Sequence, residues 1–332
     1  MKKDLLVVSL PPHISGEFRT RQIMRDVLIS LGPACLAAFY YFGLPALLVV
    51  VTAVASCVLA EHLIQTVVLK RPTSVGDLSA IVTGVLLAFN VPSHLPLWMV
   101  ALGGIFAVGI AKMCYGGLGM NPFNPALIGR VFLLVSFPAA MTSWPVPIVN
   151  RFAVDAVTAA TPLGIVKEGI KMGEPVSRLA TKVPGLWDLF IGNRGGCLGE
   201  TSVLMLLLGF LWLLYRRVIS WHIPVVVMLS AFAFFGLHAF FVPEATPGPL
   251  FHLLTGGLVL GAVFMATDYT TSPMTQKGMV IYSIAIALLV FLIRIFGSYP
   301  EGMSFAILIM NAFVPLIDRV CKPHRFGEGR RG

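Results

Sequence analysis

Charge is scarce in this chain: Asp, Glu, Lys and Arg make up 12% of its 332 residues, against 57% hydrophobic ones. A soluble domain carries roughly twice that charged share, so an ordinary water-soluble fold is excluded and a membrane protein is implied. Acidic residues are the scarcer sign, 15 against 24 basic, for a net charge of +9. The basic excess sits at the ends of apolar runs, where membrane orientation accounts for it, and no nucleic-acid partner is expected. Paired cysteines are also missing. Cys35, Cys57, Cys114, Cys197 and Cys321 form no C-x-x-C pair and have no His at ligand spacing, which excludes a self-contained zinc or iron–sulfur site. They are read as small apolar residues, with no metal expected. Cys114, beside a Gly-rich break, has the alternative of a site shared with a partner. No cleavable leader is expected either: Met1-Lys2-Lys3-Asp4 leads into a short apolar run and then Pro11-Pro12, without a small-residue cleavage site.

Long apolar runs fill the rest. A membrane span needs about 20 apolar residues, and runs occur at Met24–Phe42, Leu44–Val68, Leu97–Met113, Pro125–Ala140, Ser202–Tyr215, Ile223–Val242, Met279–Phe296 and Met303–Ile317. Two more, Leu78–Val91 and Leu250–Thr267, are short or interrupted by Gly and Pro and are read as broken or re-entrant helices. The expectation is an all-α integral membrane protein of about ten helices. Its parts are an N-terminal segment (1–22), a first five-helix repeat (23–140), a polar loop (141–200), a second five-helix repeat (201–318) and a tail (319–332).

Orientation follows from Lys and Arg. Lys2, Lys3, Arg19, Arg21, Arg25, Lys70, Arg71, Lys112, Arg216, Arg217, Lys277 and the tail residues Arg319, Lys322, Arg325, Arg330 and Arg331 fall on one side, which the positive-inside rule makes cytoplasmic. The short loops around Gly43, Ser93-His94, Pro243–Pro249 and Ser298–Pro300 contain neither residue. Both termini are therefore expected in the cytoplasm and the 141–200 loop outside. Five helices before that loop and five after it require the second half to be inverted relative to the first. Faint repetition agrees: Gly119-Met120 and Gly302-Met303 precede the fifth helix of each half, and Thr83-Gly84-Val85-Leu86-Leu87 matches Thr255-Gly256-Gly257-Leu258-Val259 in the broken helices. Glu61 and His62 lie two turns before Lys70 and are read as snorkelling to the cytoplasmic interface, with an ion path as the alternative. Asp268 and Asp318 fall at helix ends and are read as boundary residues.

The polar loop holds the stretch Asp155-Ala156-Val157-Thr158-Ala159-Ala160-Thr161-Pro162-Leu163-Gly164. Thr161 before Pro162 is the arrangement of a helix N-cap followed by Pro at the first helical position. On residues alone, Thr161 caps a short helix whose free N–H groups also suit a phosphate.

Asp155, Thr158, Ala160 and Thr161, read as Asp-x-x-Thr-x-Ala-Thr, resemble the flavinylation motif of a family of membrane proteins found in Rnf complexes and in sodium-pumping NADH:quinone oxidoreductases. Asn121-Pro122-Phe123-Asn124-Pro125-Ala126 with Gly129-Arg130-Val131-Phe132 resembles that family's fifth-helix signature. Gly199-Glu200-Thr201-Ser202 resembles the start of its sixth helix, and Phe264-Met265-Ala266-Thr267-Asp268 with Ser272-Pro273 its eighth; Tyr269 departs from the Pro often found there. The match runs through nearly the whole chain in order, and the short N-terminal region favours the Rnf branch.

The resemblance implies a urea-transporter-like fold in a bacterial inner membrane, with FMN joined to Thr161 by a phosphoester. Asp155, Thr158 and Ala160 would then be the context read by a flavin transferase. It also implies a second, noncovalent flavin such as riboflavin, for which Asn121, Asn124 and Arg130 are candidates; on residues alone the two asparagines equally suit capping of the fifth helix, and Arg130 equally suits pairing with a polar neighbour. The partners implied are the other membrane and peripheral components of an ion-translocating ferredoxin:NAD oxidoreductase, including a second flavin-bearing one. Electron transfer needs no catalytic side chain, because the cofactor does the redox chemistry. A small-solute channel or transporter with the same repeat and no flavin is the alternative.

Overall fold

The computed structural model describes residues 20–147, 160–243 and 247–322, and among these it is almost wholly helical. The helices in order are α1 (Thr20–Phe42), α2 (Leu44–Leu63), α3 (Ser79–Phe89), α4 (Leu97–Gly109), α5 (Pro125–Ser136), α6 (Pro138–Met141), α7 (Pro162–Lys171), α8 (Val176–Lys182), α9 (Leu186–Ile191), α10 (Val203–Tyr215), α11 (His222–Phe241), α12 (Pro249–Leu254), α13 (Leu258–Leu260), α14 (Gln276–Phe296) and α15 (Met303–Val320). Among the described residues, six segments are long and apolar enough to cross a membrane: Thr20–Phe42, Leu44–Val68, Leu97–Tyr115, His222–Phe241, Gln276–Phe296 and Met303–Val320. They coincide with six of the apolar runs.

Local sequence sets the helix starts. Asn124, Thr161, Ser202 and Thr275 each accept a hydrogen bond from an N–H of the first turn of the following helix, satisfying donors that have no partner within the helix. Pro follows directly in α5 and α7, where its missing N–H costs nothing. The two runs read as broken differ from each other. α3 is continuous but only 11 residues long, about 16 Å, which is half a bilayer. The 250–267 run is interrupted at Thr255–Gly257, resumes as α13 and widens into a π turn at Gly261–Met265. Gly256 adopts φ +70°, and a Cβ there would meet Arg294 Nη2 at 2.7 Å and Leu163 Cδ1 at 2.9 Å. The break is therefore built into both backbone and packing.

Packing joins the two ends of the sequence. α2 lies on α3 and α4, α11 on α14, α1 on α10, and α5 meets α15. One large apolar core runs through all of these, including Phe42, Phe89, Leu127, Phe235, Ile286 and Ile307. Many large apolar residues face outward, among them Leu36, Phe240 and Val320, as expected where the surroundings are lipid tails. α7 is anchored separately: its Leu163 and Val166 pack with Leu189 and Phe251 in a small cluster, and Lys167 donates to the Tyr299 carbonyl at 2.6 Å.

Two readings of charged residues are corrected. Glu61 does not snorkel: it is 0% exposed and bonds Lys112, itself 2% exposed, at 2.6 Å. Nor is Lys112 an interfacial marker of orientation. With so little of either exposed, each charge is compensated chiefly by the other. Ser79 Oγ takes a second Lys112 proton at 2.6 Å, and Ser74 Oγ donates to Glu61 Oε1 at 2.7 Å. Asp318 keeps its boundary role, accepting the Met274 N–H at 3.1 Å.

Candidate functional site

Thr161 is partly buried, in an extended conformation immediately before α7, and its Oγ1 accepts the Gly164 N–H at 3.0 Å. The cap expected from residues alone is thus present. Capping uses a lone pair of Oγ1, so replacing the hydroxyl proton by an ester leaves the cap geometry available. Thr161 lines a small cavity of about 20 Å³ together with Arg194, Glu200, Gly256 and Glu301. Ala160 is exposed; Asp155 and Thr158 lie outside the described residues.

Behind Thr161 the cavity is polar and charged. Arg194 is buried, and its guanidinium donates to the carbonyls of Leu254 and Glu200. Glu301 is bonded by Arg130, which also donates to Asn90 Oδ1 at 2.9 Å and Ser304 Oγ at 2.6 Å. Glu200 Oε1 lies 4.0 Å from the same guanidinium. Burial and the charge of Glu301 push the Glu200 carboxyl up from 4.5 to about 8. Burial acts on Glu301 in the same direction, but Arg130 outweighs it and holds that carboxyl down at about 2. Cys197 is buried beside them, donating to the Asn90 carbonyl at 3.4 Å.

Asn121 and Asn124 meet at a second cavity, of about 100 Å³, lined also by Lys112, Thr267 and Asp268. Asn124 caps α5 through the N–H groups of Ala126 and Leu127, at 3.0 and 3.4 Å, and reaches the Met265 carbonyl at 3.4 Å. Asn121 donates to the Phe123 carbonyl at 3.0 Å. Arg130 is not with them. It sits midway along α5, between the two cavities, joined to the residues that lead into α15.

Sequence reasoning singled out Thr161 and Arg130 but passed over Glu301, Arg194 and Arg294. Glu200 was noted only as part of a helix start. The signal available was scarcity: with 15 acidic residues in 332, a Glu at each of two apolar helix starts is unusual.

The NQR2, RnfD, RnfE family model matches residues 7–327. Among curated relatives, the chain is 46% identical over 325 residues to the D component of the Na+-translocating ferredoxin:NAD+ oxidoreductase complex of Acetobacterium woodii, covering 97% of this chain and 95% of that one. It is 42% identical over 338 residues to the D component of the proton-translocating ferredoxin:NAD+ oxidoreductase complex of Clostridium ljungdahlii, covering 99% and 98%. The D component of the ion-translocating oxidoreductase complex of Escherichia coli is 37% identical over 357 residues, covering 98% and 99%. With the match running almost from end to end, the chain belongs to the NQR2, RnfD, RnfE family.

Proposed function

We propose that this chain is the membrane flavoprotein component of a ferredoxin:NAD+ oxidoreductase complex, carrying FMN on Thr161 and coupling electron transfer to translocation of Na+ or H+. The observation that carries the reading is the position of Thr161. Its hydroxyl caps a helix at a partly buried place, and the cavity it lines holds a buried guanidinium, Arg194, whose hydrogen bonds go to backbone carbonyls. A phosphodiester there would meet two sources of positive potential, Arg194 and the N–H end of α7. The residues present fit the group. FMN supplies the redox chemistry when bound; the chain supplies attachment, charge compensation and a semi-enclosed wall.

In this reading Asp155, Thr158 and Ala160 are recognised by a flavin transferase, and Asn121 and Asn124 face a second, noncovalent flavin in the larger cavity. The protein resides in a bacterial inner membrane with both termini cytoplasmic and the Thr161 loop outside. About ten crossings form two inverted, urea-transporter-like halves. Support comes from α5 and α15, the fifth helices of each half, which cross at Arg130 and Ser304, and from α3 and the α12–α13 break, the short third helices. The partners are the other membrane and peripheral proteins of the complex, one of them also carrying a flavin.

Co-expression of the chain with a flavin transferase tests the reading. A fluorescent band on a denaturing gel is expected for the wild type and absent from Thr161→Ala. A wild-type band without fluorescence contradicts the flavin assignment and favours a solute channel.

A further inference from the structure

The junction of α5 and α15 holds two carboxyl groups around one guanidinium, linked to each other by a side-chain hydrogen bond, and one oxygen of Glu200 is left over. Glu301 receives Arg130 on Oε2 and the Gly257 N–H on Oε1 at 2.5 Å. Gly257 has no side chain to block that approach: a Cβ there would lie 2.5 Å from Glu301 Oε1 and 3.1 Å from Glu200 Oε1. Glu200 is 6% exposed, and its Oε1 is buried without a hydrogen-bond partner. It faces the cavity that Thr161 lines. A buried acceptor left unpartnered is costly, and more so if it is charged, so this oxygen calls for an explanation.

Every charged or titratable group facing Glu200 bears on its state. Glu301, just before α15, opposes its ionisation. Arg130 of α5 favours it but is committed to Glu301. Arg194, in the segment leading to Glu200, spends its donors on carbonyls. Arg294 of α14 donates from Nη1 and Nη2 to the carbonyls of His252 and Thr255, at 2.6 and 3.0 Å, and its Nε is buried without a partner. Cys197 contributes a buried thiol. The donor atoms of Cys197, Glu200 and Glu301 lie within 4.8 Å of one another. A metal ion among them would compete with a guanidinium already seated there, whereas a proton requires no coordination space.

We propose that Glu200 is a proton-holding site of the Thr161 cavity, a carboxylic acid beside an ionised Glu301 that gives its proton to the cavity when negative charge arrives there and takes it back when that charge leaves. For its role, though not for its existence, the site rests on the flavin reading of Thr161. A flavin held at Thr161 would supply the electron acceptor and, once reduced by a redox-active partner in the complex, the base: the Glu200 O–H bond would break and the proton would be bonded to that base. The carboxylate left behind would lie in the field of Arg130 and Arg194, whose hydrogen bonds stay with Glu301 and with backbone carbonyls. Oxidation reverses both transfers, so protons and electrons balance over a cycle.

Two measurements on the full chain test this separately. Infrared titration of flavin-free Thr161→Ala protein in H2O and D2O is expected to show the carbonyl stretch of a protonated carboxyl group at neutral pH. That band should fade as pH rises, vanish in Thr161→Ala/Glu200→Gln and persist in Thr161→Ala/Glu174→Gln, which alters an exposed acid. Loss with Glu200→Asp, where an acid remains but is shorter, should be partial or shifted. Absence of the band from the parent, or its persistence with Glu200→Gln, overturns the site. In flavin-loaded protein, the midpoint potential of the Thr161-bound flavin should vary with pH in the same range and lose that dependence in Glu200→Gln; identical pH profiles overturn the coupling. Failure of the chain to carry flavin removes the Thr161 reading alone, because the infrared result does not depend on it.

Discussion

The Glu61–Lys112 pair and the Arg130–Glu301–Glu200 group are both buried, yet they are finished differently. In the first, one acid meets one base, and Ser74, Ser79 and Gln65 extend the network: Gln65 Nε2 donates to Ser74 Oγ at 2.6 Å, and Ser74 N–H returns to Gln65 Oε1 at 2.6 Å. No buried side-chain polar atom of that network is left without a partner. In the second, two acids share one guanidinium, and an oxygen of Glu200 is left over. A closed network holds helices in register and resists change of charge, because removing either partner strands the other. An open one changes its proton count at smaller cost. The closed pair borders the cavity of Asn121 and Asn124, and the open group borders that of Thr161, so the two cavities differ in how readily their walls take up charge.

Breaking the closed pair should have the largest effect. Glu61→Gln or Lys112→Met each leaves an uncompensated buried charge or donor and should lower stability by about 3–5 kcal/mol. Glu61→Met/Lys112→Met should recover most of that loss. Denaturant or thermal unfolding in detergent reads both; additive losses in the double variant would break the comparison.

Arg130→Met comes next, at about 3 kcal/mol, since it strands Glu301. Glu200→Gln should not lower stability near neutral pH and should raise it, because holding the wild-type carboxyl uncharged in the folded state disfavours folding there and the amide is nearly isosteric. Equal costs for the two would mean that Glu200 is a full ion-pair partner.

The pH dependence of stability sharpens the contrast. Glu200 has a folded value raised from 4.5 to about 8, so its contribution is fully present below 4.5 and is lost as pH rises through about 8. Glu301, depressed to about 2, works the other way and only below 4.5. Between 4.5 and 8 the wild type should therefore lose stability relative to Glu200→Gln, by at most about 1.4 kcal/mol per pH unit. Parallel curves across that window would contradict the assignment.

The smallest effect is expected at the other cavity. Asn124→Ala removes the cap of α5 and should cost about 1 kcal/mol, with Asn124→Asp largely restoring it. A larger loss in flavin-loaded complex than in the isolated chain would indicate a ligand contact as well as a cap.

Helix positions were legible because apolar runs and N-cap residues are local signals; Asn124-Pro125 and Thr161-Pro162 start helices where their chemistry dictates. The interruption at Thr255–Gly257 was legible for the same reason. Charged residues whose partners are distant in sequence could not be matched to them, and Glu61 and Lys112 were misread. Lys112 and Glu61, 51 residues apart, each resembled an interfacial residue until α2 and α4 were packed together. Arg130 and Glu301, 171 residues apart, meet only because α5 crosses α15. Nothing near Glu301 in the sequence announces that it will be buried. Thr161 was found through a motif, and its cavity, which depends on Arg194, Glu200 and Glu301 converging, was not.

The central claim is that the hydroxyl of Thr161 is an attachment point and not only a helix cap. In-gel flavin fluorescence of wild type, Thr161→Ser and Thr161→Ala, each co-expressed with a flavin transferase and checked for folding, tests it most directly. Fluorescence is predicted for the wild type and absent from Thr161→Ala, with Thr161→Ser folding as the wild type does because serine preserves the cap. Fluorescence that survives in Thr161→Ala, or is missing from a folded wild-type chain, would contradict the account.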